Sequence, residues 1–275
     1  MRTLTLGYSP CPNDTFIFYA LVHGKIPLDR LSFEERLDDV ETLNRLALRA
    51  ELDITKISFH AFAHLRDNYA LLRSGSAIGK GCGPLVVAKE EVALTDLHLK
   101  KIAIPGELTT AFLLLRLFDP RIRHVVSMPF HQIMRSVCDG SADAGLIIHE
   151  SRFTYQDFGI RKIIDLGDWW ERSTGYPIPL GGIIIKRTLG MELSSLVEEK
   201  IRESIRYARR HPEEPREYIR THAQELDDAV ICQHIALYVN DYSLDIGTDG
   251  EQAIRLLFSE AERKGLIPHS RQDIF

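Results

Sequence analysis

Residues 43–58 read LNRLALRAELDITKIS, and residues 133–148 read IMRSVCDGSADAGLII. Each stretch runs from an amphipathic helical pattern through a short turn to an aspartate and then an apolar strand. Arg45 aligns with Arg135, and Asp53 with Asp143. Identities are few, but one copy stands in each half of the chain, and the pair implies two lobes built on one plan. In the first copy Asp39 is positioned to cap a helix that carries Val40, Leu43, Leu46 and Ala47 on one face, the i, i+3, i+4 spacing of a half-buried helix. The strand after it would end at Ser58. In the second copy the strand over 144–148 would end just before His149. Ligands of open α/β sheets bind outside the carboxyl ends of the strands, so two such lobes facing each other bring both strand ends to one cleft.

Outward from the repeat, residues 3–8 alternate and predict a strand. Ser9-Pro10-Cys11-Pro12-Asn13-Asp14 is a turn rich in breakers and capping residues, and an apolar helix over 15–23 follows, closed by Gly24. Its first N–H groups would face whatever lies beyond the strand. Further strands are predicted over 31–37, 84–88, 101–104, 163–165 and 181–185, and helices over 61–66, 111–118 and 129–138. Residues 167–170 read as a loop. From 194 onward the pattern is mostly helical, interrupted near Pro212 and Pro215. Alternating strands and helices predict an α/β protein with parallel sheets. The strands over 84–88 and 181–185 are natural crossovers between lobes. They divide the chain into a larger discontinuous lobe, 1–93 plus 178–275, and a smaller inserted lobe, 94–177.

The 275 residues suffice for a sizeable core. A formal net charge of -5, with no block of Lys or Arg, argues against a nucleic-acid partner. The start, MRTLTLGYSPCPNDTF, lacks the apolar run of roughly 7–15 residues that a signal peptide needs. No stretch approaches the ~20 apolar residues of a membrane helix. A cytoplasmic protein without membrane contact is the expectation. Cys11, Cys82, Cys138 and Cys232 are widely spaced, which fits reduced thiols and argues against a zinc or dithiol site. His60 and His64 form H-x-x-x-H and would share a helix face, but no glutamate follows His60 and no third ligand is evident. The glycines at 75, 79, 81 and 83 lack dinucleotide-binding spacing, and no P-loop, G-x-S-x-G or kinase motif is present.

Several residues could carry chemistry. His149, at a strand's carboxyl edge, would be held by rigid structure yet open to the cleft, and an ordinary pKa of about 6.5 suits a general base. The competing reading is a structural histidine bonded to the loop backbone. Thr109 and Thr110 precede a helix and follow the turn Pro105-Gly106-Glu107. Hydroxyls and helix N–H groups there suit a carboxylate or phosphate, or merely cap the helix. Ser58, after Lys56 and Ile57, would offer a hydroxyl and main-chain groups, or end its strand in solvent. Asn44 either reaches the cleft or sits on the surface. Trp169 and Trp170 either wall an aromatic ligand or pack a hinge.

S-P-C-P-N-D-T-F at 9–16, D-V-E-T-L-N-R at 39–45, D-I-T-K-I-S at 53–58, G-P-L-V-V-A at 83–88, G-L-I-I-H-E-S-R-F-T-Y at 145–155 and H-A-Q-E-L at 222–226 occur in this order over nearly the whole chain. Together they resemble the 1,4-dihydroxy-6-naphthoate synthase family of the futalosine route to menaquinone. The resemblance implies an α/β, periplasmic-binding-protein-like type II fold, two lobes with a ligand cleft between them, in a cytoplasmic enzyme. It implies a small-molecule carboxylate substrate, cyclic dehypoxanthine futalosine. The products would be dihydroxynaphthoate and a three-carbon fragment, dihydroxyacetone, formed without metal or organic cofactor. The implied proton acceptor is the histidine of L-I-I-H-E-S, His149. Implied substrate contacts fall on Lys56, Ile57 and Ser58 and on Thr109, Thr110 and Ala111, while Asn44 matches the Asn of E-T-L-N-R. Two alternatives share the fold. One is a non-catalytic small-anion binding protein. The other is a chorismate dehydratase, which the P-C-P-N-D-T and L-I-I-H-E-S segments disfavour.

Overall fold

A computed structural model of the chain describes residues 2–224 and 227–275; Met1 and the Glu225-Leu226 end of the H-A-Q-E-L segment lie outside the described residues. The chain begins with β1 (Arg2–Tyr8), α1 (Pro12–Val22), β2 (Leu31–Leu37), α2 (Val40–Leu48), β3 (Ile54–Ser58), α3 (Phe59–Ala63), β4 (Tyr69–Leu71) and β5 (Ala77–Gly79). It then crosses to a second lobe made of β6 (Leu85–Ala88), β7 (Ile102–Ile104), α4 (Thr110–Phe118), β8 (Val125–Ser127), α5 (Phe130–Cys138), β9 (Ala144–Ile147), α6 (Ser151–Thr154), β10 (Arg161–Asp165) and α7 (Leu166–Thr174). It returns along β11 (Ile178–Lys186) and closes with α8 (Met191–Arg210), α9 (Arg216–His222), α10 (Asp228–Tyr238), α11 (Asp241–Leu244) and α12 (Gly247–Arg263).

The larger sheet has the order β2-β1-β3-β11-β4, with β5 also on β11; the smaller has the order β10-β6-β9-β7-β8. β1 runs parallel to β2 and β3, and β7 runs parallel to β8 and β9. The two lobes therefore repeat one β-α-β-α-β plan, as the paired stretches imply. The repeated aspartates do the same work in each: Asp53 accepts from the Thr5 N–H at 3.2 Å, and Asp143 accepts from the Lys101 N–H at 2.8 Å. Each thus ties the entrance of one parallel strand to its neighbour.

Three expectations need correction. The sheets are mixed rather than parallel, because β11 is antiparallel to β3 and β6 is antiparallel to β9. These are the two strands by which the chain changes lobe. A strand entering a sheet from the cleft, where the parallel strands end, has to run against them. For the same reason β6 belongs to the smaller sheet, so the first crossing precedes Leu85 and residues 85–88 leave the larger lobe to which the sequence reading assigned them. Finally, residues 167–170 are helical, not a loop. Asp165 caps α7 by accepting from the Gly167 and Asp168 N–H groups, and Gly175, at φ +78°, ends it.

Elsewhere local chemistry explains the boundaries. Asp39 caps α2 through the Glu41 and Thr42 N–H groups. α1 starts at Pro12, before the predicted Thr15, because proline presets the dihedral of a first helical turn. An apolar cluster runs through both lobes, joining Ile57 and Ile184 of the larger sheet to Val86 and Ile102 of the smaller. Ile17, Ile201 and Ile205 cover one face of the larger sheet, and Ile133 and Val137 one face of the smaller. Among the described residues no helix is long and apolar enough to cross a membrane.

Candidate active site in the interlobe cleft

The parallel strands β1, β3, β7 and β9 all end at one cleft, and the turns and helix starts beyond those ends supply its walls. Ser9, Asn13 and Asp14 come from the turn after β1 and the start of α1; Lys56, Ile57 and Ser58 from the end of β3. Thr109, Thr110 and Ala111 come from the start of α4, and Ile148 and His149 lie just past β9. Val40, Leu43, Pro84, Leu180 and Tyr238 make the cleft largely apolar. The space between the lining atoms, its open mouth included, is about 720 Å³.

Seven of the sequence candidates meet here: Lys56, Ile57, Ser58, Thr109, Thr110, Ala111 and His149. Ser58 does not end in solvent; it is 4% exposed. The threonine hydroxyls are not free for a ligand. Thr109 Oγ1 donates to the Gly106 carbonyl and accepts from the Phe112 N–H, capping α4. Thr110 Oγ1 donates to the Leu180 carbonyl at 2.5 Å. With the Phe112 and Leu113 N–H groups taken by Thr109, what the α4 start offers an anion is therefore the Thr110 and Ala111 N–H groups, which lack intrahelical partners, and the positive end of the helix dipole. Asn44 is fully buried behind the lining rather than in it. Its Oδ1 accepts from the Ser58 N–H at 3.0 Å, and its Nδ2 donates to the Leu108 carbonyl at 3.3 Å. Trp169 packs edge-on against Phe118, and buried Trp170 donates to the Pro177 carbonyl; neither lines the cleft.

Sequence reading missed the polar floor. Lys56 Nζ lies 3.0 Å from Asp14 Oδ1, both side chains being almost wholly buried, and donates to the Gly75 carbonyl at 2.7 Å. Asp14 also accepts from Ser9 Oγ at 2.7 Å and from Asn13 Nδ2 at 2.8 Å. A buried ion pair persists only when such further hydrogen bonds satisfy it. The breaker-rich turn at 9–14 marked this place, but only the fold carries Lys56 to it. His234, on α10, had no local signal at all, yet its ring lies against that of His149.

His149 sits in the left-handed backbone region, φ +57°. Few non-glycine residues adopt it, and such strain gathers at functional sites. Burial lowers its pKa to about 4, with Lys56 adding to that and Asp14 and Asp39 opposing it. The imidazole is therefore neutral near pH 7, able to accept a proton, and a negatively charged ligand would raise its basicity back toward the ordinary value. Burial, helped by His64, also lowers His60 to about 4. His60 Nδ1 lies 3.3 Å from the Thr109 carbonyl, backing the α4 start from behind. Among the described residues His60 and His64 gather no third metal ligand, whereas ligand atoms of Cys11, His149 and Glu150 lie within 4.8 Å of one another. Burial pushes the Cys11 thiol well above its ordinary range, which opposes the thiolate a metal needs. The arrangement combines a neutral base, an anion-attracting helix end and an apolar chamber fit for a ring system.

Comparison with known proteins agrees with this geometry. A family model described as menaquinone biosynthesis matches residues 4–263. A curated relative from Thermus thermophilus, named 1,4-dihydroxy-6-naphtoate synthase, is 50% identical over 275 residues, all of both chains. A crystal structure of a protein from Archaeoglobus fulgidus superposes with a TM-score of 0.91 at 41% identity, covering 96% of this chain and 98% of the other. At 16% identity a Candida albicans protein described as having the generic periplasmic binding protein fold superposes with a TM-score of 0.69, covering 98% of this chain and 92% of the other, a likeness of fold alone.

Proposed function

This chain belongs to the menaquinone-biosynthesis family, among the 1,4-dihydroxy-6-naphthoate synthases, and from that premise we propose that it converts cyclic dehypoxanthine futalosine to 1,4-dihydroxy-6-naphthoate and dihydroxyacetone, with His149 as general base. The observation that carries the mechanism is His149 itself: a neutral imidazole on a strained backbone, opening into an apolar cleft that also holds an anion-attracting helix end. The substrate carboxylate would be held by the first-turn N–H groups of α4 and by Lys56, and its ring system by Val40, Leu43, Pro84 and Tyr238. His149 would take a proton from a carbon acidified by a neighbouring carbonyl. The electron pair left behind drives elimination, which opens the sugar-derived ring, and aromatisation pulls the three-carbon fragment away. A positioned base supplies roughly 10²–10⁴-fold of the rate. The same reading carries a cytoplasmic location and a small-molecule carboxylate as partner.

The test is incubation of the purified protein with the cyclic substrate, or with chorismate, and detection of product by mass. Naphthoate product from the first is the expected result. Turnover of chorismate instead, or binding of either compound without turnover, would overturn the substrate assignment. His149→Asn is expected to keep the fold and ligand binding while losing at least about 10²-fold in kcat. Wild-type turnover by that variant would remove the base role.

A further inference from the structure

His234 is fully buried on α10, and its ring stacks on that of His149 with centroids 6.1 Å apart and planes 19° from parallel. Its Nε2 lies 2.8 Å from Asn13 Oδ1. Asn13 Nδ2 in turn donates to Asp14 Oδ1 at 2.8 Å, the oxygen that also meets Lys56 Nζ. Flipping the Asn13 amide would turn its carbonyl toward the Asp14 carboxylate, two acceptors face to face. The amide is therefore fixed, its Oδ1 faces His234, and His234 Nε2 must carry a proton. In the neutral ring Nδ1 is then the bare nitrogen, 3.7 Å from Glu150 Oε2.

The need for such a support is visible at His149. Its residue lies past the end of β9 in a left-handed conformation, so no strand ladder sets its side chain. The imidazole instead packs against the ring of Phe130, centroids 5.2 Å apart and planes at 63°, and against the near-parallel ring of His234. We propose that His234 is a positioning residue for the His149 base, locked by Asn13 as the Nε2–H tautomer, and that its ring keeps the His149 imidazole aimed into the cleft and shielded from water behind. This rests on the base role of His149 given above. Burial drives His234 well below its ordinary range, and the neighbouring His149 adds to that, which matches a ring that stays neutral beside the base. The groups facing the two rings are Asp14, Lys56 and Asp39, with Cys11 and Glu150 alongside and the Tyr238 ring tilted against His234, centroids 4.7 Å apart.

Histidine-selective ¹⁵N NMR of the full chain reads the tautomer in the unmutated protein: Nε2 of His234 protonated and Nδ1 bare. Protonation at Nδ1 alone, or at both nitrogens near neutral pH, overturns the proposal. In His234→Ala, kcat is expected to fall about 10–100-fold with KM little changed, as for a slightly misplaced catalytic group. Water admitted behind His149 should also move the acid limb of kcat/KM from near 4 toward 6.5. His234→Gln keeps an N–H donor for Asn13 and is expected to restore the acid limb in part. A merely structural role would lower stability without moving that limb. A folded His234→Ala with wild-type kcat and pH profile overturns the positioning role. If His149→Asn is inactive while the His234 variants behave as wild type, this proposal alone fails; if His149→Asn is fully active, the base role fails with it.

Discussion

Asn44 serves the cleft without touching it. Its side chain holds the Ser58 N–H of one lobe and the Leu108 carbonyl of the other, and its Nδ2 also donates to Glu41 Oε2 at 3.4 Å. Asn44→Leu keeps the approximate volume but leaves the Ser58 N–H buried without its acceptor, a cost of about 1–3 kcal/mol, while the Leu108 carbonyl keeps its bond from Ser58 Oγ. The expected outcome is a lower urea midpoint and a raised KM; an unchanged midpoint would mean water replaces the amide. Protonation gives a second residue-scale prediction. His60 and His149 are each lowered by burial to about 4, against 6.5 when unfolded. Between those values the unfolded chain binds more protons than the folded one, so their contribution to stability is complete above about pH 6.5 and is lost as pH falls toward 4. Urea midpoints measured from about pH 7 to about pH 4 should fall across that window, and fall less in His60→Gln. A flat profile would show that both rings are solvated. His60 was legible only as half of an H-x-x-x-H pair, because its partner, the Thr109 backbone, comes from the other lobe.

The elements were legible where their signals are short-range. α2 and β3 arise from one aspartate cap, a helical period and an apolar run, all within twenty residues of each other. α7 was not, because Gly167 reads as a breaker and outweighs the cap two residues before it, Asp165. Gly167 has another purpose: it lies against Gly83 where the chain crosses between lobes. A Cβ added at Gly83 would fall 2.3 Å from the Gly167 Cα, a backbone atom that cannot swing aside. Gly83→Ala is therefore expected to destabilise by about 1–3 kcal/mol, read as a drop in Tm, and to disturb the bond between Arg152 and the Gly83 carbonyl that anchors α6 beside His149. A wild-type Tm would mean that the start of α7 and the segment before β6 separate freely.

At the scale of the molecule, the lobes are latched shut by the segment before α4. The Leu108 N–H donates to Glu41 Oε2 at 3.2 Å, and the Leu108 carbonyl accepts from both Ser58 Oγ and Asn44. Gly106, at φ +152°, lets this segment approach; a Cβ there would fall 2.4 Å from the Glu41 carboxylate. Lobe closure excludes water and aligns reacting groups, so Glu41→Ala should open the molecule. Small-angle scattering is expected to show a larger radius of gyration without ligand, with KM raised several-fold and kcat less affected. Unchanged scattering and KM would show that the latch contributes nothing to closure.

By itself the sequence determined the class of the fold, the duplicated plan and most of the cleft. Caps, periodicity and strand ends are encoded within a few residues of where they act, and motifs carry the family. Only the tertiary structure decided that β6 joins the smaller sheet, that Lys56 meets Asp14, and that His234 reaches Asn13 across 221 residues to lie against His149. Those are contacts between elements distant along the chain, set by how sheets pair and helices pack rather than by any local pattern.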